Sequence, residues 1–474
     1  MDQLQLALRH RMRRIRVALD HLPRLVAPLP ARSLAARQRR YLWSRLRELG
    51  RRPDAYRLLR IRRLDSPTEP SDAVWELRLA GPRRRRHRVG DTLLLRWEND
   101  PERVTDVLDA LGADGDRRHT IVGYSSVFQP GRVRRAALSR LLREEYDLHV
   151  AGPRLLERAG FRASSPGAPG PGGAAGGGLD LLSPAHAGGG RGLDLLDVLR
   201  SATPPIDVQE FLTLQPRTTA RAYSLSRIDR AGARDTVEII VSAVRLPVKV
   251  PAGPIRTTDG RATGFVRRLA TGRASGLHAA GVRADGVVRA WSLRHPWRLD
   301  VVGDVPVVIV VAGTGIAGAM AWLRERAERV RRGGTGLLPV WLLYGVRDWA
   351  TRGLYRDELI GMVRDGVIAR LDVAQSRSDR DDGEAEPAGT ADTGPFGLHH
   401  RRRVTHVLDD AASDLGDWLR RGAVVYASGP KQLGPAVRKR LAAGVEAGGV
   451  ATATTAGELL TAWEQNGRLQ ISVS

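Results

Sequence analysis

The run Val307-Val308-Ile309-Val310-Val311-Ala312 is apolar on both faces. It breaks into Gly313-Thr314-Gly315-Ile316-Ala317-Gly318 and passes into Met320-Ala321-Trp322-Leu323-Arg324-Glu325, a helical pattern. A strand with no polar face is one buried inside a parallel sheet, and the glycines mark a tight turn into a helix. Glycines let backbone come close to a phosphate, and a helix N-terminus adds N–H groups and partial positive charge. Gly313-x-Gly315-x-x-Gly318 therefore reads as a nucleotide site. The same spacing also serves as plain strand-to-helix punctuation, so the turn alone leaves both readings open.

The segment from 305 to about 450 alternates strands and helices, with strands at Val307–Val311, Val340–Tyr344, Ile368–Val373 and Val424–Ala427. This is the pattern of an α/β domain with a doubly wound parallel sheet. Ser378 to His400 interrupts it as an acidic, glycine-bearing insertion, expected to be a mobile loop.

Upstream, Tyr56–Ile61, Val74–Leu79 and Thr92–Trp97 alternate apolar and polar residues. Strand signals resume at Ala222–Leu225, Val237–Arg245 and Val287–Ala290. Turn residues between them predict an antiparallel β-barrel. From Asn99 to Gly160 the pattern is helical, with Pro101-Glu102-Arg103 opening one helix. Residues 161–192, rich in Gly, Ala, Ser and Pro, read as a flexible loop. The echo of Leu179-Asp180-Leu181-Leu182 at Leu193-Asp194-Leu195-Leu196 is too short to mark a repeat. Residues 1–50 alternate Leu, Val and Ile with Arg around Pro23, Pro28 and Pro30. They predict two basic amphipathic helices, packed on the body or docking on an acidic partner or membrane surface. Three parts are expected: a basic helical extension (1–50), a barrel carrying a helical insertion at about 99–215 (51–304), and the parallel-sheet domain (305–474).

The chain has no cysteine, which excludes disulfides, thiolate metal sites and thiol nucleophiles. No metal site is expected. No apolar run is long enough to span a membrane, and the basic N-terminus has no signal-peptide core, so a cytoplasmic location is expected. The formal net charge is +24, and of 76 basic residues only Lys249, Lys431 and Lys439 are lysines. A nucleic-acid binder can look like this. Here the arginines run through every segment, as a GC-rich coding bias produces, which makes nucleic acid the less favoured partner. Anionic cofactors and acidic proteins gain from the field in either case.

A second site signal is Arg221-Ala222-Tyr223-Ser224 on a barrel strand. A ring can stack on a flat ligand, a guanidinium can fork onto phosphate and a hydroxyl can bond a ring nitrogen. By itself this is also an ordinary strand with a surface arginine. In order along the chain follow Gly260-Arg261-Ala262-Thr263, the turn at 313, Leu343-Tyr344-Gly345-Val346-Arg347-Asp348, Leu354-Tyr355-Arg356-Asp357-Glu358-Leu359, Asp372-Val373-Ala374-Gln375-Ser376-Arg377 and Tyr426-Ala427-Ser428-Gly429. This succession resembles the ferredoxin–NADP reductase superfamily, and within it the diflavin branch of sulfite reductase flavoprotein and cytochrome reductase. Val89-Gly90-Asp91 and Asn99-Asp100-Pro101 are similar to its barrel landmarks. The resemblance covers about residues 55–474.

The resemblance implies an FAD-binding barrel with a helical connecting insertion and an NADP(H)-binding sheet domain. It implies an NADPH-dependent flavoprotein oxidoreductase. Arg221 would bind the FAD pyrophosphate, Tyr223 would stack on the isoalloxazine, and Ser224 would approach its reactive nitrogen. Gly260, Ala262 and Thr263 would hold phosphate. Gly313, Thr314 and Gly315 would cradle the nicotinamide nucleotide, with Arg347 nearby. Ser376 and Arg377 would grip the 2′-phosphate, with Arg401 and Arg403 where the family carries a Lys/Tyr pair. Ser224 and Ser428 are the candidate catalytic residues at the hydride-transfer shell. The residues favour NADPH independently. An NAD site wants an acid about 20 positions after the glycines, and Gly333-Gly334-Thr335-Gly336 offers none. Arginines beside Ser376 suit a phosphate.

The chain also departs from the pattern. No flavodoxin-like FMN domain is recognised, so the expected acceptor is a separate redox partner: a flavodoxin, a haem protein, the sulfite reductase haem subunit, or a small molecule. The family's Pro in the turn is Gly318, and the family's Gly at 311 is Val311. Its cysteine beside the nicotinamide is Ser428, and the following acid is Pro430. The near-terminal Asp falls at Ser472 and the flavin-shielding aromatic at Ser474. Serine keeps a polar contact but cannot act as a carboxylate. Two readings stay open: a working reductase with a relaxed site, or a degenerate flavin-binding homologue or basic binding module with little NADPH turnover.

Overall fold

The computed structural model describes residues 53–473 except 66–72, 84, 124–131, 162–192, 219, 231, 251–252, 271–285, 295–304, 335–337, 378–394 and 451–454. The expected helices of residues 1–50, the loop expected at 161–192 from its second residue on, and Ser474 lie outside the described residues.

In chain order, strands β1 (Asp54–Arg63), β2 (Val74–Ala80) and β3 (Thr92–Arg96) come first. They are followed by α1 (Pro101–Ala110), β4 (Arg118–Gly123), β5 (Arg132–Ala137), α2 (Leu138–Glu145), α3 (Pro153–Arg158), α4 (Leu195–Ser201) and α5 (Val208–Leu214). Then come β6 (Arg221–Asp229), β7 (Thr236–Ser242), β8 (Arg245–Val250), β9 (Gly253–Asp259), α6 (Arg261–Ala270) and β10 (Val287–Leu293). Strands β1, β10, β3, β6, β7 and β2 close into an antiparallel barrel in that order. The alternation closes it correctly: Tyr56, Leu58, Leu77, Leu93, Leu225 and Ile239 point into a common core. At one end Tyr56 Oη and His87 Nε2 lie 3.0 Å apart, and the His87 N–H donates to Asp235 at 2.6 Å.

The chain between β3 and β6 forms a unit with its own core, built on Val107, Leu141, Tyr146, Leu155, Val198 and Phe211. Asp100 caps α1 ahead of Pro101, and Asp207 forms a capping box with Glu210 on α5. The all-helical expectation for 99–160 needs one correction. Residues 118–137 hold the β4–β5 hairpin, in which His119-Thr120-Ile121-Val122 pairs with Val133-Arg134-Arg135-Ala136. The consecutive β-branched residues Thr120, Ile121 and Val122 favour a strand over the helical neighbourhood there.

The C-terminal part runs β11 (Val307–Ala312), a 3-10 turn (Gly313–Gly315), α7 (Ile316–Arg331), β12 (Val340–Val346), α8 (Trp349–Arg352), α9 (Arg356–Arg364), β13 (Arg370–Gln375) and β14 (Phe396–His399). It continues with α10 (Val404–Asp410), α11 (Ala412–Arg420), β15 (Val424–Gly429), α12 (Leu433–Ala447), α13 (Ala456–Asn466) and β16 (Leu469–Val473). Six parallel strands lie in the order β14-β13-β12-β11-β15-β16. Val308 and Val310 face one helical layer, and Val307, Ile309 and Val311 face the other. This is the α/β doubly wound sheet expected of residues 305–474. Two differences are corrections. Phe396–His399 is not loop but an edge strand paired with β13, and Leu469–Val473 adds a sixth strand beside β15. Among the described residues, no helix is long and apolar enough to cross a membrane.

Barrel and sheet meet through buried charge. Tyr355 Oη donates to Glu76 Oε2 at 2.9 Å across the junction. Arg324 on α7 forks onto Glu358 at 2.7 and 2.6 Å and donates to the Ser226 carbonyl on β6 at 2.8 Å. Its guanidinium lies 4.5 Å from the Tyr355 ring centroid. Arg352 donates to the buried Asp65 at 2.8 Å. Removing one partner of such a group strands a buried charge, at about 3–5 kcal/mol.

Candidate functional site

The order of the sheet reverses at β11. The chain moves to β12, β13 and β14 on one side and returns to β15 and β16 on the other. Ligands of open parallel sheets sit outside the strand ends at such a switch point. Gly313 follows β11 there with a left-handed φ of 54° and nothing within 4 Å of where a Cβ would lie. Gly315 is the close approach: a Cβ on it would fall 2.3 Å from the Ser428 carbonyl oxygen and 2.8 Å from Gly429 Cα. Turn and strand end are thus packed backbone to backbone, with open space above Gly313. That cradle suits a nucleotide phosphate. Val311 is fully buried and fills the core beneath the turn.

The barrel strand β6 reaches the same place. Ser224 Cβ lies 3.7 Å from the point a Cβ on Gly318 would occupy, and Tyr426 Oη lies 2.8 Å from that point. A Cβ at 318 would therefore meet the outer end of the Tyr426 side chain. Ser428 is buried and stands opposite Ser472 in the parallel pair β15–β16. Ser224, Ser428 and Ser472 supply hydroxyls, and Tyr426 adds a buried phenol two residues before Ser428 on the same strand. Burial raises the Tyr426 phenol above its ordinary pKa of 10.0.

Arg221 opens β6, exposed, and Tyr223 follows half-buried. The Trp97 indole N–H donates to Tyr223 Oη at 3.2 Å, and the two rings meet edge-on at 5.7 Å. Trp97 in turn tilts on Phe265 of α6 at 5.2 Å. Burial pushes the Tyr223 phenol up to about 12. Gly260 accepts from the Gly264 N–H and so sits at the start of α6, whose first-turn N–H groups, including that of Ala262, have no partner within the helix. Thr263 differs from its expected contact. Its hydroxyl accepts from the Val244 N–H at 2.7 Å and bonds the Val244 carbonyl at 3.2 Å. Only its backbone N–H is left to face a phosphate.

Arg261, inside the same motif, is the residue the sequence reading passed over. It donates to Asn99 Oδ1 at 2.9 Å and to the Tyr146 carbonyl at 3.0 Å, tying the helical insertion to the barrel. Burial, with the charges of Arg221 and Arg96, pulls its pKa down to about 10 against the raising pull of Asp147. Cations therefore gather at the start of α6, beside Arg221. The signal lay in the arginine that interrupts an otherwise small-residue turn.

The third cluster lies along the ends of β12, β13 and β14. The Ser376 N–H donates to the Val346 carbonyl at 3.0 Å and the Arg377 N–H to the Arg347 carbonyl at 2.8 Å. The Arg402 N–H donates to the Gln375 carbonyl at 3.0 Å, while the Gln375 amide meets His400 Nδ1 at 2.8 Å. Gln375 thus holds the turn 400–403 against β13, with Arg401 at a left-handed φ of 51°. Arg347, Ser376, Arg377, Arg401 and Arg403 are all exposed at this rim. Two strand spacings, about 10 Å, separate it from the Gly313 turn. The span suits a dinucleotide lying across the strand ends.

Over 347 residues, 73% of this chain, the sequence is 24% identical to the sulfite reductase (NADPH) flavoprotein alpha-component of Yersinia enterocolitica and covers 47% of that protein. It is likewise 24% identical over 348 residues to the protein of the same name from Photorhabdus laumondii, covering 48% of it. The chain spans about half the length of the curated relatives it matches. No family model matches the chain. The similarity supports a relationship to the flavoprotein oxidoreductases of the diflavin type.

Proposed function

We propose that this chain is an FAD-dependent NADPH oxidoreductase that passes electrons to a separate acceptor. The single observation that carries this reading is the meeting of Ser224, Gly318 and Tyr426. There the strand bearing Arg221-Ala222-Tyr223-Ser224 touches the helix that follows the Gly313 turn, at the switch point of the sheet. The two candidate binding features, from separate cores, come together there, which is what transfer between two bound cofactors would need.

Under this reading residues 51–304 hold FAD and residues 305–474 hold NADPH. Bound FAD supplies two-electron chemistry on the nicotinamide side and one-electron chemistry on the acceptor side. The chain's own residues bind and orient. Arg221, Arg261 and the first-turn N–H groups of α6 neutralise the pyrophosphate. The Tyr223 ring, its phenol held by Trp97, offers a face to the isoalloxazine. Gly313, Thr314 and Gly315 hold the nicotinamide nucleotide by backbone. Ser376, Arg377, Arg401 and Arg403, with Arg347, read the 2′-phosphate. Ser224 and Ser428 border the reacting atoms with hydroxyls that donate and accept. The relatives' name, an alpha-component of sulfite reductase, supports a separate component as redox partner, for which a sulfite reductase haem subunit is our candidate. A flavodoxin, another haem protein or a small acceptor would use the same electrons.

A second reading rests on one observation. Ser428 and Ser472 stand side by side without the thiol and carboxylate of the resembled family, as in a flavin-binding homologue with little NADPH turnover. One experiment separates the two. The purified protein is loaded with FAD and NADPH is added without oxygen. Bleaching of the oxidised-flavin band is expected. A yellow protein that does not bleach supports the second reading, and a protein that takes up no FAD refutes both.

A further inference from the structure

We infer that Gln375 is a positioning residue for nucleotide selection: it fixes Arg401 in its left-handed conformation at the rim assigned to the 2′-phosphate. This deepens the proposed function and rests on its reading of that rim.

The rim residues come from three separate segments. Arg347 follows β12, Ser376 and Arg377 follow β13, and Arg401 and Arg403 lie in the turn after β14. Gln375 touches all three. It precedes Ser376 on the chain and is buried, with 5% of its surface exposed. Its Oε1 accepts from the Trp349 N–H at 3.1 Å, two residues beyond Arg347. Its amide nitrogen meets His400 Nδ1 at 2.8 Å, and its carbonyl accepts from the Arg402 N–H at 3.0 Å. The orientation of the amide is forced. A backbone N–H can only donate, so the oxygen faces Trp349 and the NH2 group faces His400. His400 Nδ1 is then the acceptor, and the imidazole proton sits on Nε2.

Arg401 lies between the two residues that Gln375 holds. Its φ of 51° is costly for a residue with a side chain, and such a conformation persists where its surroundings over-determine it. The backbone pairing of β13 with β14 ends at Ala374 and His399. Beyond that point the bonds to His400 and Arg402 hold the turn on both sides of Arg401, and Arg402 also pairs with Asp410 of α10. A backbone relaxed to negative φ would swing the Arg401 side chain to another direction. The Gln375 amide therefore sets where that guanidinium stands relative to Ser376 and Arg377.

The probes are adenosine 2′,5′-bisphosphate and adenosine 5′-monophosphate, which differ only in the 2′-phosphate, titrated into the full chain. The wild type should bind the bisphosphate more tightly. Gln375→Met keeps the backbone bond and nearly the same volume but loses both amide bonds. It should cut the ratio of the two affinities about threefold to tenfold, the range of one lost hydrogen bond, and leave the monophosphate unchanged. His400→Ala, at the exposed end of the clasp, should do the same without stranding the Trp349 N–H. Arg401→Ala should lower the ratio at least as far, and Gln375→Met should add nothing in that background, because the two act as one unit. In mildly alkaline buffer, nitrogen-15 spectra should show the His400 proton on Nε2, with the signal assigned by its loss in His400→Ala. Equal losses for both nucleotides in Gln375→Met, or losses that add to those of Arg401→Ala, mark the residue as a structural support and overturn the proposal. So does a His400 proton on Nδ1. If Gln375→Met does not fold, His400→Ala makes the same comparison, and an unchanged ratio there overturns the proposal. A wild-type protein that binds the two probes equally refutes the reading of the rim itself, and this proposal falls with it.

Discussion

The closest packing at the site makes Gly315→Ala the sharpest perturbation. The added Cβ would lie 2.3, 2.6 and 2.8 Å from Ser428 O, Ser428 C and Gly429 Cα. All three are backbone atoms at the end of a strand held on both sides by parallel neighbours. No rotamer relieves the overlap, so turn and strand must part by about 1 Å. Overpacking of this kind costs about 1–3 kcal/mol, and the rigidity of a central sheet points to the upper end. At about 2–4 °C per kcal/mol for a domain of this size, the melting temperature should fall by about 6–12 °C. Two other glycines calibrate the result. Gly313→Ala meets nothing within 4 Å and pays only for its left-handed φ, about 1 kcal/mol. Gly361→Ala, inside α9 with nothing within 4 Å, should stabilise by about 1 kcal/mol. Thermal unfolding of the three variants should rank Gly315→Ala lowest and Gly361→Ala highest, and NADP⁺ titration should show the greatest loss for Gly315→Ala. A Gly315→Ala protein that melts like the wild type and binds NADP⁺ equally well would refute the packing at the switch point.

Arg377→Ala should weaken NADPH by about tenfold or more, the worth of a charge-assisted hydrogen bond, and leave NADH unchanged; equal losses in parallel titrations would show that Arg377 does not read the 2′-phosphate. Tyr223→Ala should loosen FAD by about threefold to tenfold through the lost stacking face, and unchanged flavin content after gel filtration would argue against that role. Burial lowers the pKa of His87 below 6.5, against the raising effect of Asp235. The folded state therefore keeps His87 neutral while the unfolded state protonates it below 6.5, so its contribution is complete above that pH and is lost as pH falls through it towards the folded value. Asp235, held below 3.8, adds a loss of the same sign at lower pH. Urea midpoints should drop between about pH 7.5 and pH 5 by more in the wild type than in His87→Gln, and parallel curves would remove His87 from the account.

The fold was legible wherever burial imposed a period. Val307–Ala312 could only be a central parallel strand, and the barrel strands declared themselves by alternation. Legibility failed where pairing rather than burial defines the element. Phe396–His399 is short and partly exposed at the sheet edge. Its strand state comes from β13 and from His399, which bonds the buried Asp372 at 2.8 Å, a long-range contact that local pattern does not encode. The β4–β5 hairpin was lost in a neighbourhood of helical composition. At the site, residue types were readable but their orientation was not. Thr263 looked like a phosphate donor, and only the structure brings its hydroxyl to Val244. Arg261 looked incidental, and only the structure gathers it with Arg221 and Arg96.

The junction explains why the site needs more than its motifs. Ser224 belongs to the barrel core, and Gly318 and Tyr426 belong to the sheet. Nothing in either motif sets their separation. That is done by α7, which carries the nucleotide turn at its start and Arg324 two turns later. Arg324 bonds the Ser226 carbonyl, two residues beyond Ser224 on the same strand. One helix thus fixes both the turn and the strand that faces it. Glu238, buried near Arg324 and Glu76, has its pKa raised by burial and by the Glu76 charge. An apolar junction would slide more easily, because dispersion contacts are non-directional, whereas the Arg324 fork accepts one geometry. The buried charge at this seam is therefore better understood as a device for alignment than as a source of stability, since such pairs gain little net free energy over apolar packing.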